Sequence, residues 1–315
     1  MSISYQPYVV SHIHQLPNLF LVPTVSSHYP HPENKSMQFR FPQALAAILL
    51  ALAVTASTVS SQKYYDDDED WMERCRSGWG NDDSDRERFC EIREIGMRAN
   101  GKPIVVDAGM NGGVSIRGWD RDSIHIRVKI QTHDESEADA KEIASQVKIE
   151  TGGAVIRADG PESDRRGSWS ASFEILVPRK SDLHLETHNG PISVREVSGA
   201  MELDAHNGPL SLKSVGGEVR GRTQNGPLAI ELSGSKWDGA GLDAETRNGP
   251  VILTIPDSYS AQLETGTVNG PMTLGFPLTL SGKINRRIST TLGQGGPTVR
   301  AVTTNGPVTL RKGGK

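Results

Sequence analysis

Cysteine is nearly absent from this chain: Cys75 and Cys90 are the two copies in 315 residues. That excludes a multi-cysteine zinc site, which needs four ligands in tightly spaced pairs. A lone pair behind an export signal reads instead as one disulfide. Closing a loop of about 15 residues contributes roughly 3 kcal/mol. Aromatic side chains are only 5% of the chain while glycines number 33, which suits a thin core of Val, Ile and Leu. The formal net charge of −4 provides no basic field for nucleic acid. No GxxxxGK[ST] or GxGxxG loop is present. No Ser/His/Asp or Cys/His constellation stands out, so the sequence offers no catalytic residues and no cofactor.

What the chain does have is repetition. Asn-Gly-Pro occurs six times, beginning at Asn189, Asn207, Asn225, Asn248, Asn269 and Asn305. The spacings are 18, 18, 23, 21 and 36 residues. A period near 20 residues marks units that bury their apolar faces by stacking on one another. Three residues after each Asn stand Ile192, Leu210, Leu228, Val251, Met272 and Val308; five after stand Val194, Leu212, Ile230, Leu253, Leu274 and Leu310. Six before come Leu183, Met201, Val219, Leu242, Leu263 and Val299. Polar residues alternate with them, the period-2 pattern of a strand with one buried face. Each unit therefore reads strand, Asn-Gly-Pro corner, strand.

Asn and Gly tolerate positive φ at a corner, and Pro belongs at a turn or first strand position. Asn-Gly is also a hairpin signal, so an antiparallel meander is one reading. A β-solenoid is the preferred one. In-register stacking at about 4.8 Å would place an Asn in the same corner of every rung and let the side-chain amides form a ladder. The expected fold is all-β, a β-helix-like stack with one short helix near its N-terminal end. Asn111-Gly112-Gly113, followed by Val114, Ser115 and Ile116, is a weaker copy, and Gln294-Gly295-Gly296-Pro297 a degenerate one.

Upstream the chain divides into segments. Residues 37–56 read as a signal peptide: Arg40, an apolar run from Ala44 to Val54, then small residues before Ser57. The run is too short to cross a bilayer, so no span is expected in the mature chain. Residues 1–36 read as an extension before a true start at Met37. Residues 57–99 read as an acidic linker holding the Cys75–Cys90 disulfide. Its run Asp66 to Asp70 suits a solvated face better than calcium, lacking the Gly and terminal Glu of an EF-hand loop. Residues 100–312 form the repeat domain. Within it a helix is expected from Glu135 to Gln146, capped by Asp134 with Glu137, its apolar face being Ala140, Ile143, Ala144 and Val147. Val155–Ala158 and Ser172–Val177 are expected to form a hairpin.

Two outward columns were candidates for chemistry. Three before Asn run Glu186, Asp204, Arg222 and Glu245; five before run His184, Glu202, Arg220, Asp243 and Glu264. Mixed signs favour cross-rung ion pairs, Glu202 and Asp204 with Arg220 and Arg222, over a carboxylate catalytic site. His188 and His206 precede Asn in adjacent rungs. They are candidate metal ligands, or two surface histidines of a polar column that continues as Gln224 and Arg247.

The run Leu176-Val177-Pro178, then Leu183-His184-Leu185-Glu186-Thr187-His188-Asn189-Gly190-Pro191-Ile192-Ser193-Val194 and Ser198-Gly199, resembles the bacterial putative-adhesin β-strand-repeat family, a domain of unknown function. The likeness spans residues 100–312. This chain has Pro where many members carry a polar residue after Gly. The resemblance implies an exported envelope or surface β-solenoid and no catalytic residues. The expected function is non-enzymatic surface contact: adhesion, an envelope role or carbohydrate binding, with a surface glycan or envelope component as partner. The alternatives are a carbohydrate-active enzyme and a self-assembling structural module.

Overall fold

The computed structural model describes residues 70–77, 86–152, 155–163, 167–275 and 286–313, all within one compact unit from Ser60 to Lys315. The signal peptide, the extension before it and Asp66–Glu69 lie outside the described residues. No helix of the described residues is long and apolar enough to cross a membrane.

Among the described residues the fold is all-β: two ten-stranded mixed sheets enclosing one apolar core, plus two short helices. At residues 70–77 a first helix, α1, carries Cys75, which is bonded to Cys90 on β1 (Glu87–Arg98) with a Cα–Cα distance of 6.4 Å. Part of the expected linker is thus built into the fold: β1 pairs antiparallel with β4 (Ser123–Asp134) along its whole length. Next to β4 lies β7 (Ser168–Pro178), also antiparallel, and then β3 (Val114–Trp119), parallel to β7. The second sheet begins with β5 (Lys148–Glu150), β6 (Val155–Asp159) and β2 (Ile104–Asp107). β6 and β7 therefore sit in different sheets and form no hairpin. Both bury alternate residues against the shared core, so local alternation alone did not reveal which partner each would take.

Helix α2 (Glu137–Gln146) starts two residues later than the Asp134 cap implies. Ser136 is the N-cap: its hydroxyl accepts from Asp139 N at 3.1 Å. Ala140 and Ala144 are buried against β4 and β1, and Thr132 Oγ1 donates to the Ala140 carbonyl at 2.6 Å. Arg93 of β1 donates to the carbonyls of Ala144 and Val147 at the helix C-terminus, where a cation also suits the helix dipole; the Ala144 carbonyl accepts from Val147 N as well.

The Asn-Gly-Pro units then follow, each placing one strand in each sheet. In the second sheet stand β8 (Leu183–Thr187), β10 (Ser198–Asn207), β12 (Gly216–Asn225), β14 (Gly241–Asn248), β16 (Ala261–Asn269) and β19 (Thr298–Asn305). Their partners across the corners are β9 (Ile192–Arg195), β11 (Leu210–Lys213), β13 (Leu228–Glu231), β15 (Val251–Ile255), β17 (Met272–Leu274) and β20 (Val308–Lys312) in the first sheet. Neighbours pair in parallel with corners in register, as in Met201↔Val219 and Asn207↔Asn225. The longer spacing before Asn248 accommodates Trp237, which is buried and donates Nε1 to the Gly217 carbonyl at 3.0 Å.

Stacking order departs from chain order. β19 lies between β14 and β16, and β20 between β15 and β17. The last unit in sequence is thus the penultimate unit in space. β18 (Arg287–Leu292) closes the second sheet, antiparallel to β16. The degenerate Gln294-Gly295-Gly296-Pro297 copy is the turn from β18 to β19, with Gly295 N donating to the Leu292 carbonyl at 2.8 Å.

Candidate functional site: a groove beside the corner ladder

The corners organise the site. Asn189 Nδ2 donates to Asn111 Oδ1 (3.1 Å), Asn207 to Asn189 (2.9 Å), Asn225 to Asn207 (2.7 Å) and Asn248 to Asn225 (2.8 Å). Asn305 then donates to Asn248 and Asn269 to Asn305, both at 2.8 Å. Asn111, visible in sequence as a weak copy, is the first member. The corner glycines serve a different need from the expected positive φ, which Gly190, Gly208, Gly226, Gly249 and Gly270 do not have. A Cβ on Gly208 would lie 2.0 Å from the Gly190 carbonyl oxygen, and one on Gly226 2.1 Å from that of Gly208. The units approach too closely for any side chain there.

Buried threonines two positions before Asn satisfy those same carbonyls. Thr187 donates to Gly112 O (2.5 Å), Thr223 to Gly208 O (2.7 Å), Thr246 to Gly226 O (2.8 Å) and Thr303 to Gly249 O (2.9 Å). Each inward hydroxyl thus meets an acceptor that stacking would otherwise leave dry.

On the outer face of the second sheet, next to this rigid edge, runs a groove of about 1100 Å³. It crosses the strands from β2 to β18, lined by the residues one and three positions before each corner Asn. One column runs His188, His206, Gln224, Arg247, Thr304 and Val268; the other includes Glu186, Asp204, Arg222 and Glu245. Both candidate histidines fall here. Their rings stack with centroids 4.6 Å apart and planes 10° from parallel. Among the described residues no group of three or more His, Cys, Asp or Glu side chains is arranged to hold a metal.

The ion pairs differ from the expected ones. Glu202 stands opposite Arg220 and Asp204 opposite Arg222, but Glu202 pairs with His184 (3.3 Å), Arg220 with Glu218 (2.7 Å) and Arg222 with Glu245 (3.6 Å). Cross-strand register sets who is adjacent, and the long side chains then choose among several neighbours. Arg300, which lines the groove, also binds Asp243 and Glu245. Burial raises the Asp204 pKa above the usual carboxylate value; Glu202 adds to this, while Arg222 and His184 oppose it. His184 and Glu202 lie outside the groove, in a shallow depression with Asp182 and Arg220.

No protein-family model matches the chain, and no curated protein matches it. Among solved structures, it is similar to a putative cell adhesion protein from Clostridium sporogenes (11% identity, 72% of this chain and 100% of that one, TM-score 0.38). It is also similar to putative adhesins from Bacteroides fragilis (11% identity, 70% and 97%, TM-score 0.29) and Parabacteroides distasonis (7% identity, 70% and 97%, TM-score 0.30).

Proposed function

We propose that the chain is an exported β-solenoid that works by surface contact, holding an extended surface glycan in the groove beside the asparagine ladder. The observation that carries this reading is the continuity of the two outward columns. Side chains able to contact a ligand recur at each strand step of about 4.8 Å, on a backbone locked by the ladder. Many weak contacts in register suit a polymer better than a compact metabolite. Stacked imidazoles, an amide, a guanidinium and hydroxyls supply the donors and flat faces that sugars use. The Cys75–Cys90 disulfide suits an oxidising compartment outside the cytosol.

A second reading uses the same groove for hydrolysis. Glu186 and Asp204 are register neighbours, and burial raises the Asp204 pKa, the direction a general acid needs. One experiment separates the two. Residues 57–315 are screened against immobilised glycans and cell-envelope fractions, beside a His188→Ala, His206→Ala double variant. Saturable binding that the double variant weakens supports surface contact. Released oligosaccharide that Asp204→Asn abolishes supports the enzyme. No binding to any glycan or envelope fraction rejects both and leaves a self-assembling structural role.

A further inference from the structure

We infer that the glycan is acidic, and that Arg247 and Arg287 grip its carboxylate or sulfate groups at the β14–β18 end of the groove. The inference rests on the surface-contact reading and adds the ligand's chemical class.

The groove is electrically lopsided. Asp107, Glu186 and Asp204 stand in register on adjacent strands β2, β8 and β10, making its first end acidic. Four guanidiniums line the remainder: Arg222, Arg247, Arg287 and Arg300. Two are already engaged, Arg222 by Glu245 and Arg300 by Asp243 and Glu245. Arg247 and Arg287 are exposed and have no ion pair or side-chain hydrogen bond among the described residues. Of the carboxylates at this end, Glu245 is shared by Arg222 and Arg300, and Glu264, in register with Arg300 and Ser289, forms no ion pair with Arg247 or Arg287 among the described residues. Two cations thus face the groove with their bidentate donor forks open, a geometry that fits a carboxylate or sulfate.

What lies between them fits a sugar chain. From β14 the second sheet passes through β19 and β16 to β18, so Arg247 and Arg287 stand three strand steps apart, about 14 Å. That span is too long for one small dianion and suits two acidic groups along a polymer. Between them the positions one and three before the corner asparagines are uncharged, Val302 and Thr304 on β19 and Gly266 and Val268 on β16, while Arg300 and Glu264 stand one row further from the corner. Val268 is 47% exposed, one of four large hydrophobic side chains so exposed among the described residues. An uncharged strip with exposed Val268 between two cationic posts matches sugar C–H faces between acidic substituents. Gln224 and Thr304 flank Arg247 in register and offer an amide and a hydroxyl for ring hydroxyls.

The test is calorimetric titration of residues 57–315 with three oligosaccharides of similar length: oligogalacturonate (carboxylate), chondroitin sulfate (carboxylate and sulfate) and a neutral dextran oligomer. Each is repeated with the Arg247→Gln, Arg287→Gln double variant and with Arg311→Gln, an exposed arginine on β20 in the other sheet. The expected result is tighter binding of one or both acidic ligands, weakened about tenfold by the double variant and unchanged by Arg311→Gln. Raised salt reduces that binding. Preference for oligogalacturonate assigns the carboxylate, and preference for chondroitin sulfate assigns the sulfate. Equal binding of neutral and acidic ligands, unmoved by the double variant, overturns the acidic-glycan inference and leaves surface contact standing. An equal loss in Arg311→Gln overturns it too, since any surface charge would then serve. Binding of none of the three, with envelope binding also absent from the screen above, removes the reading beneath it.

Discussion

Asn269 Nδ2 donates to Asn305 Oδ1 at 2.8 Å, although Asn305 lies 36 residues further along the chain. The position adjacent to Asn248, only 21 residues before Asn269, is taken by Asn305. This one exchange shows that the final unit is inserted into the stack and not added to its end.

The insertion ranks two otherwise similar substitutions. Asn305 both donates to Asn248 and accepts from Asn269, whereas Asn269 only donates. At about 0.5–1.5 kcal/mol per hydrogen bond, with exposed side chains at the low end, Asn305→Ala loses about twice what Asn269→Ala loses. Urea midpoints measure both. Stacking in chain order would make Asn305 terminal and reverse the ranking.

Close approach at the corners makes Gly208→Ala severe. Its Cβ would sit 2.0 Å from the Gly190 carbonyl oxygen, a backbone atom that cannot swing aside. A loss of about 3 kcal/mol or more is expected in thermal unfolding. Gly152, with nothing within 4 Å of a built Cβ, is the control; Gly152→Ala should stay within about 0.5 kcal/mol of the parent.

Thr246→Val keeps the shape and removes the hydroxyl that donates to the Gly226 carbonyl. An acceptor left dry costs about 1–3 kcal/mol. The reverse change is available two units earlier in the same column, where Ala205 stands in place of threonine. Ala205→Thr adds a donor toward the Gly190 carbonyl and should raise the melting temperature as Thr246→Val lowers it.

Asp204 makes stability depend on pH in a definite direction. Because burial raises its folded pKa above the ordinary value, the folded state holds the proton more tightly than the unfolded state. The residue's relative contribution is fully present below the ordinary aspartate pKa and is lost as pH rises through the raised one. Asp204→Asn should therefore be more stable than the parent at pH 7, with the gain shrinking as the pH falls to 3. Melting temperatures across that range measure it; a gain that grows toward low pH would contradict the assigned cause.

Much of this protein is written locally. Period-2 alternation placed Leu210, Leu228 and Val251 on one buried face, because a strand can hide only every second side chain. The repeated corner marked where the chain passes between sheets, and the common spacing brought the six asparagines and the two histidines into columns. Other features depended on contacts distant in sequence. Glycine at the corner reads as a turn residue, and only the stacked neighbour shows that space, not φ, demands it. The groove has no sequence signature, being lined by side chains that only stacking brings together from β2 to β18, and no repeat announces the antiparallel β18 at its end. Free and engaged arginines look alike in sequence, since Arg222 and Arg247 part company only when Glu245 reaches one of them. Stacking order was the least legible feature. Leu242 can face Leu263 or Val299 with the same apolar fit and the same corner register, so units built alike are interchangeable to local forces. The choice fell to the whole molecule: the turn after Leu292 carries β19 back beside β14, while β18 covers the far side of β16.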